Sequence, residues 1–500
     1  MKAVGLITEY NPLHNGHILH LNKSVELTDA DVAIAVMSGN FVQRGEPAVT
    51  DKYTRARMAV DCGVNLVIEL PVEYALGSAE KFATGGILLL QALQAEAVCF
   101  GSESGNIRKL SEIADVLASE SDKYQLALKK ELKTGVSFPV ARENAIASLH
   151  IMDADELHEI LSSPNNILAI EYIKAIKRNA CSITPFTYKR EGMAYNAVFA
   201  DDDIDAGDEY GGGYQDYSAS FAEDDIYAAD GTTLLASSEA IRHELHRYYS
   251  VIDAYSRSDD SDVSYEDVLN KTDEIMENIM RFIPEEAKET FIAALDKRMP
   301  VFKNDFNELF NIKMREIIKE SGYNKKRAVE ILCGYEGIGC DLANRMINKY
   351  DKNHDIGEFI ESVKDKSNTY KAISRAIFRV ILDIRQEKRD NDIVIQEIDG
   401  AKVFDPDLNP AFSFSEEPKI DYIRILAFDE KGMDYLNQIK KTCDVHIITK
   451  TAGEEAFIAA DVYAADLYNL ILWTVYGENA QNEFQKGIYI KGRGFTGSEA

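Results

Sequence analysis

Three of the nine histidines in this 500-residue chain fall in one short segment, GLITEYNPLHNGHILHL, at His14, His17 and His20. His14 and His17 straddle Gly16. Imidazoles on either side of a glycine can both aim N–H groups at one anion, and the glycine lets the backbone approach it closely. The segment follows the apolar run AVGLI and leads into a helical pattern, so His17 falls in a first helical turn. Free amides and the positive end of the helix dipole favour phosphate there. Such donors help most as charge builds on a phosphate during nucleotidyl transfer. The plainer alternative has one histidine capping the helix while the other packs. Two of them in this position favour the phosphate reading.

Histidines with that task need a rigid mount. AVGLI (3–7), VAIAVM (32–37), LVIEL (66–70) and AVCF (97–100) are short apolar runs bounded by polar or glycine-rich turns. Helical patterns lie between them at about 16–28, 50–62 and 79–94. This alternation predicts an α/β fold, a parallel sheet of right-handed βαβ units. In such sheets ligands bind beyond the carboxyl ends of the strands, which is where TEYNPLHNGH falls. A helix at NNILAIEYIKAIKR and a strand at SITPFTYKR come next. Residues 195–230 then carry eleven Asp or Glu and no Lys or Arg, and read as a solvated insertion. ASSEAIRHELHRY resumes with a serine-capped helix. From about 265 to 387 the pattern is almost all helical, and YIRILAF, KGMDYLNQIKK and VHIIT read as a small α/β piece. The expected division is a catalytic domain over 1–255, a mainly helical domain over 256–400 and a small C-terminal α/β region over 401–500.

At 45% hydrophobic and 28% charged residues the composition is that of a globular protein. No stretch approaches the roughly 18 uncharged apolar residues of a membrane span, and MKAVGLITEY lacks the form of a signal peptide. The six cysteines are scattered without a CxxC pair, which suits reduced thiols in a cytoplasm and no metal site. The expectation is a cytoplasmic protein with no membrane partner. A net charge of −29 argues against loose, charge-driven attraction to nucleic acid, though not against a local basic patch.

HNGH after a first strand resembles the HxGH signature of the nucleotidylyltransferase superfamily, whose members form adenylates from ATP on a Rossmann-like domain. The superfamily's second signature, a serine-rich turn opening a helix with a phosphate-binding arginine, is matched by ASSEAIR, with Ser237, Ser238 and Arg242. More closely, GLITEYNPLHNGH, MSGNFVQRGEPAV, GVNLVIELP, FGSE, PNNILAIEY and ASSEAIR occur in this order. Together they resemble the bacterial tRNA(Met) cytidine acetate ligase family, and YIRILAFDEKG and IITK extend the resemblance to the C-terminal region. The resemblance implies an enzyme that forms acetyl-adenylate from acetate and ATP, with Mg2+ accompanying the ATP. It then implies acetyl transfer to the N4 amine of the wobble cytidine of elongator tRNA(Met). Carried over by position, the catalytic residues would be His14, His17 and Arg242. ATP would be held by Ile7, Thr8, Glu9, Tyr10, Asn11, Pro12, Gly16 and His20, with Gly101, Asn165, Asn166, Arg190, Ser237 and Ser238. No covalent enzyme intermediate is needed, so no protein nucleophile is expected.

Substrate and tRNA contacts are expected from two further places. Gln43, Arg44 and Glu46 follow the second strand and so face the same cleft, with Lys52, Arg55 and Arg57 at the next helix start. This loop would hold acetate or the anticodon end of tRNA; the structural alternative is a solvated loop with a Glu–Arg pair. Lys371, Arg375 and Arg379 fall four apart, a helical stripe suited to RNA phosphates. Other readings of the same residues are an adenylyltransferase acting on a small molecule, or a non-catalytic nucleotide- or RNA-binding relative.

Overall fold

The computed structural model describes residues 1–190, 234–257, 264–297, 300–350, 355–386, 396–398, 401–403 and 418–496. The acidic segment 195–230 lies outside them. The four apolar runs become strands buried on both faces, β1 (Ala3–Thr8), β2 (Val32–Ser38), β3 (Leu66–Leu70) and β4 (Ala97–Ser102). With the half-exposed edge strand β5 (Thr184–Lys189) they run parallel in the order β3-β2-β1-β4-β5. That is a Rossmann-like order, reversing at β1.

Helices α1 (Asn15–Thr28), α2 (Lys52–Asp61), α3 (Ala79–Ala92) and α4 (Pro164–Arg178) accompany the strands. Alternate residues of β2 serve opposite layers: Ile34 and Val36 pack with Leu90 and Ile173, Ala35 and Met37 with Ala56 and Val60. The seat of α3 on β1 depends on two glycines. A side chain at Gly5 would strike Leu90, and one at Gly86 would strike Ile7.

Beyond α5 (Ser238–Arg257) the described residues are mainly helical as far as α6 (Tyr370–Ile381). Ile373, Ile377, Val380 and Ile381 of α6 share a core with Phe306, Phe310 and Phe359. The C-terminal region is not a separate piece. Its strand β6 (Tyr422–Phe428) pairs antiparallel with β3, and β7 (His446–Ile448), β8 (Tyr489–Ile490) and β9 (Gly494–Phe495) complete a nine-stranded sheet. β6 is apolar almost throughout and covers the edge that β3 would otherwise leave open. Charge is neutralised at this junction. Lys52 Nζ lies 2.7 Å from Glu69 and 2.9 Å from Glu483, and Arg424 pairs with both carboxylates.

Among the described residues one helix, α7 (Glu455–Tyr476), is long and apolar enough to cross a membrane by length and composition. It is seated in the protein instead: Asp461 accepts the Val72 N–H at 2.7 Å and the Tyr468 hydroxyl donates to Ala48 O at 2.8 Å.

Candidate active site

The segment from Glu9 to His14 leaves the carboxyl end of β1, where the strand order reverses. At the start of α1, His14 Nδ1 accepts the Gly16 N–H at 3.1 Å and His17 Nδ1 accepts the His14 N–H at 3.2 Å. The histidines therefore cap the helix reciprocally, and the caps decide their tautomers. With each Nδ1 an acceptor, each ring carries its proton on Nε2. His14 Nε2–H donates to Ser238 Oγ at 3.0 Å, and His17 keeps its N–H for the cavity it lines. At His17, capping and phosphate donation, alternatives in the sequence, are compatible because they use different nitrogens.

Burial, with the Arg190 and Arg242 guanidiniums nearby, pushes His14 down to about 3. Burial and the neighbouring imidazoles hold His17 well below its ordinary value. His20, donating to Cys99 O at 2.9 Å, is pushed by burial down to about 4. All three are neutral N–H donors at pH 7.

These rings face a cavity of about 180 Å³. On the β4/β5 side its wall is Phe100, Gly101, Tyr188 and Arg190, with Asn165, Leu168 and Tyr172 from α4. A side chain at Gly101 would collide with Arg190 and Tyr188. Arg190 donates to Asn165 Oδ1 at 3.4 Å, and Asn165 Nδ2 donates to Glu103 Oε1 at 2.7 Å. Asn166 Oδ1 accepts the Ser104 N–H at 3.1 Å, and Asn166 does not line the cavity. Glu103, the last residue of FGSE, also accepts the Asn166 N–H at 2.9 Å and is a further positioning residue, one that the motif alone does not mark. Ile7, Thr8, Glu9, Gly16, Ser237 and Ser238 line the cavity as well.

Tyr10, Asn11 and Pro12 do not. Tyr10 is buried with its ring edge-on to His17, centroids 4.9 Å apart. Asn11 Oδ1 accepts the Val49 N–H at 2.8 Å. Arg242 also stands behind the wall, donating to Asn11 O at 2.8 Å and lying 3.2 Å from Glu46 Oε1.

On the β2 side the cavity meets a hairpin, Phe41–Val42 paired with Glu46–Pro47. Gly45 turns its tip at φ +79°, against the backbone of Ser374 and Arg375. Glu9 Oε1 accepts the Gln43 N–H at 2.9 Å, and Arg44 pairs with Glu239. From behind, Ser374 of α6 donates to Gly45 O at 2.5 Å and Arg375 to Gln43 O at 3.1 Å. Burial lowers Lys371, which faces Arg44, Glu239, Glu46 and Glu9. The helical region thus supports the site through α6.

Three cations expected to meet acetate or RNA are instead inside the protein. Lys52 is 1% exposed in the junction cluster. Arg55 is fully buried, donating to Thr50 O at 3.0 Å, Glu9 O at 2.7 Å and Ser38 O at 3.0 Å, and to Gly39 O. Arg379 is buried and donates to Glu336 O at 2.9 Å and to Leu76 O. Side chains so placed have no face to present to a polynucleotide.

Comparison with known proteins gives a consistent picture. A family model described as HIGH Nucleotidyl Transferase matches residues 1–206 and 406–483. A tRNA(Met) cytidine acetate ligase of Thermoanaerobacter sp. (strain X514) is 33% identical over 478 residues, covering 94% of this chain and 95% of its own. One from Acetivibrio thermocellus is 30% identical over 500 residues, covering 98% and 100%. The crystal structure of Thermotoga maritima TmcAL bound with alpha-thio ATP aligns with a TM-score of 0.71 at 27% identity, over 98% of this chain and 99% of that one.

Proposed function

The chain belongs to the tRNA(Met) cytidine acetate ligase family of the HIGH nucleotidyl transferases, and from that premise we propose that it activates acetate with ATP and acetylates elongator tRNA(Met). An acetate oxygen attacks the α-phosphorus, pyrophosphate leaves, and the acetyl group passes from the adenylate to the N4 amine of the wobble cytidine. The observation that carries this reading is the pair of neutral imidazoles at the amino end of α1 on the cavity wall, His17 with its Nε2–H left for the cavity and His14 with its Nε2–H on the Ser238 hydroxyl, which lines the cavity too. Fixed donors there gain strength as the α-phosphate accumulates charge. Gly101, Asn165 and Arg190 are the proposed adenosine side, and Gln43 with Arg44 the proposed acetate and acceptor side.

Among the described residues no three acidic, histidine or cysteine side chains converge as metal ligands. Magnesium would accompany the triphosphate and offset its charge. The acceptor and the free cysteines support the cytoplasm as the compartment.

The test is acetate-dependent ATP–pyrophosphate exchange, run alongside acetylation of an elongator tRNA(Met) transcript. Exchange together with acetylcytidine is the expected result. Exchange that ignores acetate and follows another small acid or a phosphate ester would overturn it.

A further inference from the structure

We propose that the Glu9 carboxylate is the general base of acetyl transfer, accepting the proton of the attacking cytidine amine; the proposal rests on the acetate-ligase reading above. In that step the N4 lone pair forms a bond to the acetyl carbon. The carbon–oxygen bond to the adenylate phosphate breaks and AMP leaves with its electron pair. One N4 proton must then go to an acceptor within hydrogen-bond reach.

The cavity offers few acceptors. His14 and His17 have spent their Nδ1 lone pairs on backbone amides and carry protons on Nε2, so they can donate but not accept. His20 donates to Cys99 O through Nε2 and keeps a lone pair on Nδ1, but that bond holds the ring on the β4 side and burial pushes it down to about 4, which makes it a weak base. Glu9 is the one carboxylate among the described residues lining the cavity. It stands on the other side of β1 from Gly101 and Arg190, because β2 and its hairpin flank β1 opposite to β4 and β5.

Its two oxygens differ. Oε1 accepts the Gln43 N–H at 2.9 Å and anchors the side chain. Oε2 lies 3.9 Å from Arg44 Nε, an ion-pair distance beyond a hydrogen bond, and retains lone pairs for an incoming N–H. The surroundings tune the group in the useful direction. Burial pushes Glu9 up, and Glu46 adds to this, while Arg44 and Arg242 oppose it. Glu239 on α5 and Lys371 on α6 complete the charges around it. Burial and Glu46 both raise the proton affinity of the Glu9 carboxylate, which makes its ionised form a better proton acceptor than an ordinary one.

The experiment is single-turnover transfer from enzyme-bound acetyl-adenylate to an elongator tRNA(Met) transcript, with acetate-dependent exchange measured on the same preparations. Glu9→Gln keeps the acceptor for the Gln43 amide and removes the base. Transfer should fall about a hundredfold more than exchange. Glu9→Asp should recover part of that loss. Wild-type transfer should decline towards acid with a titration that Glu9→Gln lacks. Transfer by Glu9→Gln falling only in step with exchange would overturn the proposal and leave the ligase reading standing. If Glu9→Gln does not fold, a wild-type transfer rate independent of pH over the whole range in which exchange stays intact would overturn it equally. Wild-type protein without acetate-dependent exchange would overturn the ligase reading itself, and the base with it.

Discussion

Replacing Arg55 with methionine separates two accounts of that residue. The guanidinium is fully buried and donates to four backbone carbonyls, of Glu9, Ser38, Gly39 and Thr50. Glu9 follows β1 while Ser38 and Gly39 close β2, so one side chain ties together the two loops that flank the cavity. Hydrogen bonds from a charged donor are worth about 1.5–3 kcal/mol each, so four amount to about 6–12 kcal/mol gross. Against that stands the penalty for burying the charge, which pushes Arg55 down to about 10, worth roughly 3 kcal/mol. Methionine fills similar volume but leaves the carbonyls dry until the loops open to water, which recovers part of the loss. The expected net destabilisation is about 3–5 kcal/mol, a large share of a typical folding free energy. Urea titration followed by circular dichroism would measure it as a lower midpoint at unchanged slope. A stability change below about 1 kcal/mol, accompanied by weaker tRNA binding, would refute the buried-brace reasoning and restore the arginine to a surface role.

His17→Ala removes the acceptor for the His14 N–H and should lower stability by about 1 kcal/mol while the protein still folds, and should slow acetate-dependent exchange at least a hundredfold, about 3 kcal/mol of transition-state stabilisation; near-normal exchange would remove this ring from the chemistry. Stability should also depend on mild acid. His14, His17 and His20 stay neutral when folded, with His14 at about 3 and His20 at about 4, whereas unfolded histidines protonate near pH 6.5. The unfolded state therefore binds more protons below that pH. The three together should cost up to about 4 kcal/mol per pH unit between about pH 6 and pH 4. A His20→Asn variant that kept the full dependence in denaturation at several pH values would contradict this. Arg375→Ala, which frees the Gln43 carbonyl, should lower exchange and transfer together; a loss of transfer alone would mark Arg375 as an RNA contact.

The fold of the first 190 residues was legible because each strand and helix advertises itself locally. β1 to β4 are short runs apolar almost throughout, and the helices between them begin at serine, aspartate or histidine caps. The joining of β6 to β3 was not legible, since an antiparallel partner more than 350 residues away leaves no mark in either segment. The same contrast runs through the site. HNGH, TYKR and ASSEAIR are compact patterns whose neighbours in the sequence supply much of their geometry. Lys52, Arg55 and Arg379 looked like a solvent-facing charge supply because cations usually are. Their partners, among them Glu483 for Lys52 and Leu76 O for Arg379, come from elsewhere in the fold. Glu103 was hidden for the opposite reason, since its contacts are with Asn165 and Asn166 and not with the cavity.

The β3–β6 pairing bears on how the chain is made. During synthesis β1 to β5 leave the ribosome long before Tyr422–Phe428, and until then Leu66–Leu70 is a strand apolar but for Glu69, with one edge unpaired. Glu69 meanwhile lacks Arg424, and Lys52 lacks Glu483. Open apolar edges of this kind recruit other chains. A fragment stopped at residue 255 would hold every cavity-lining residue named above and still be sticky, so the ATP-side half of this protein cannot be expected to stand as a soluble unit without its final eighty residues.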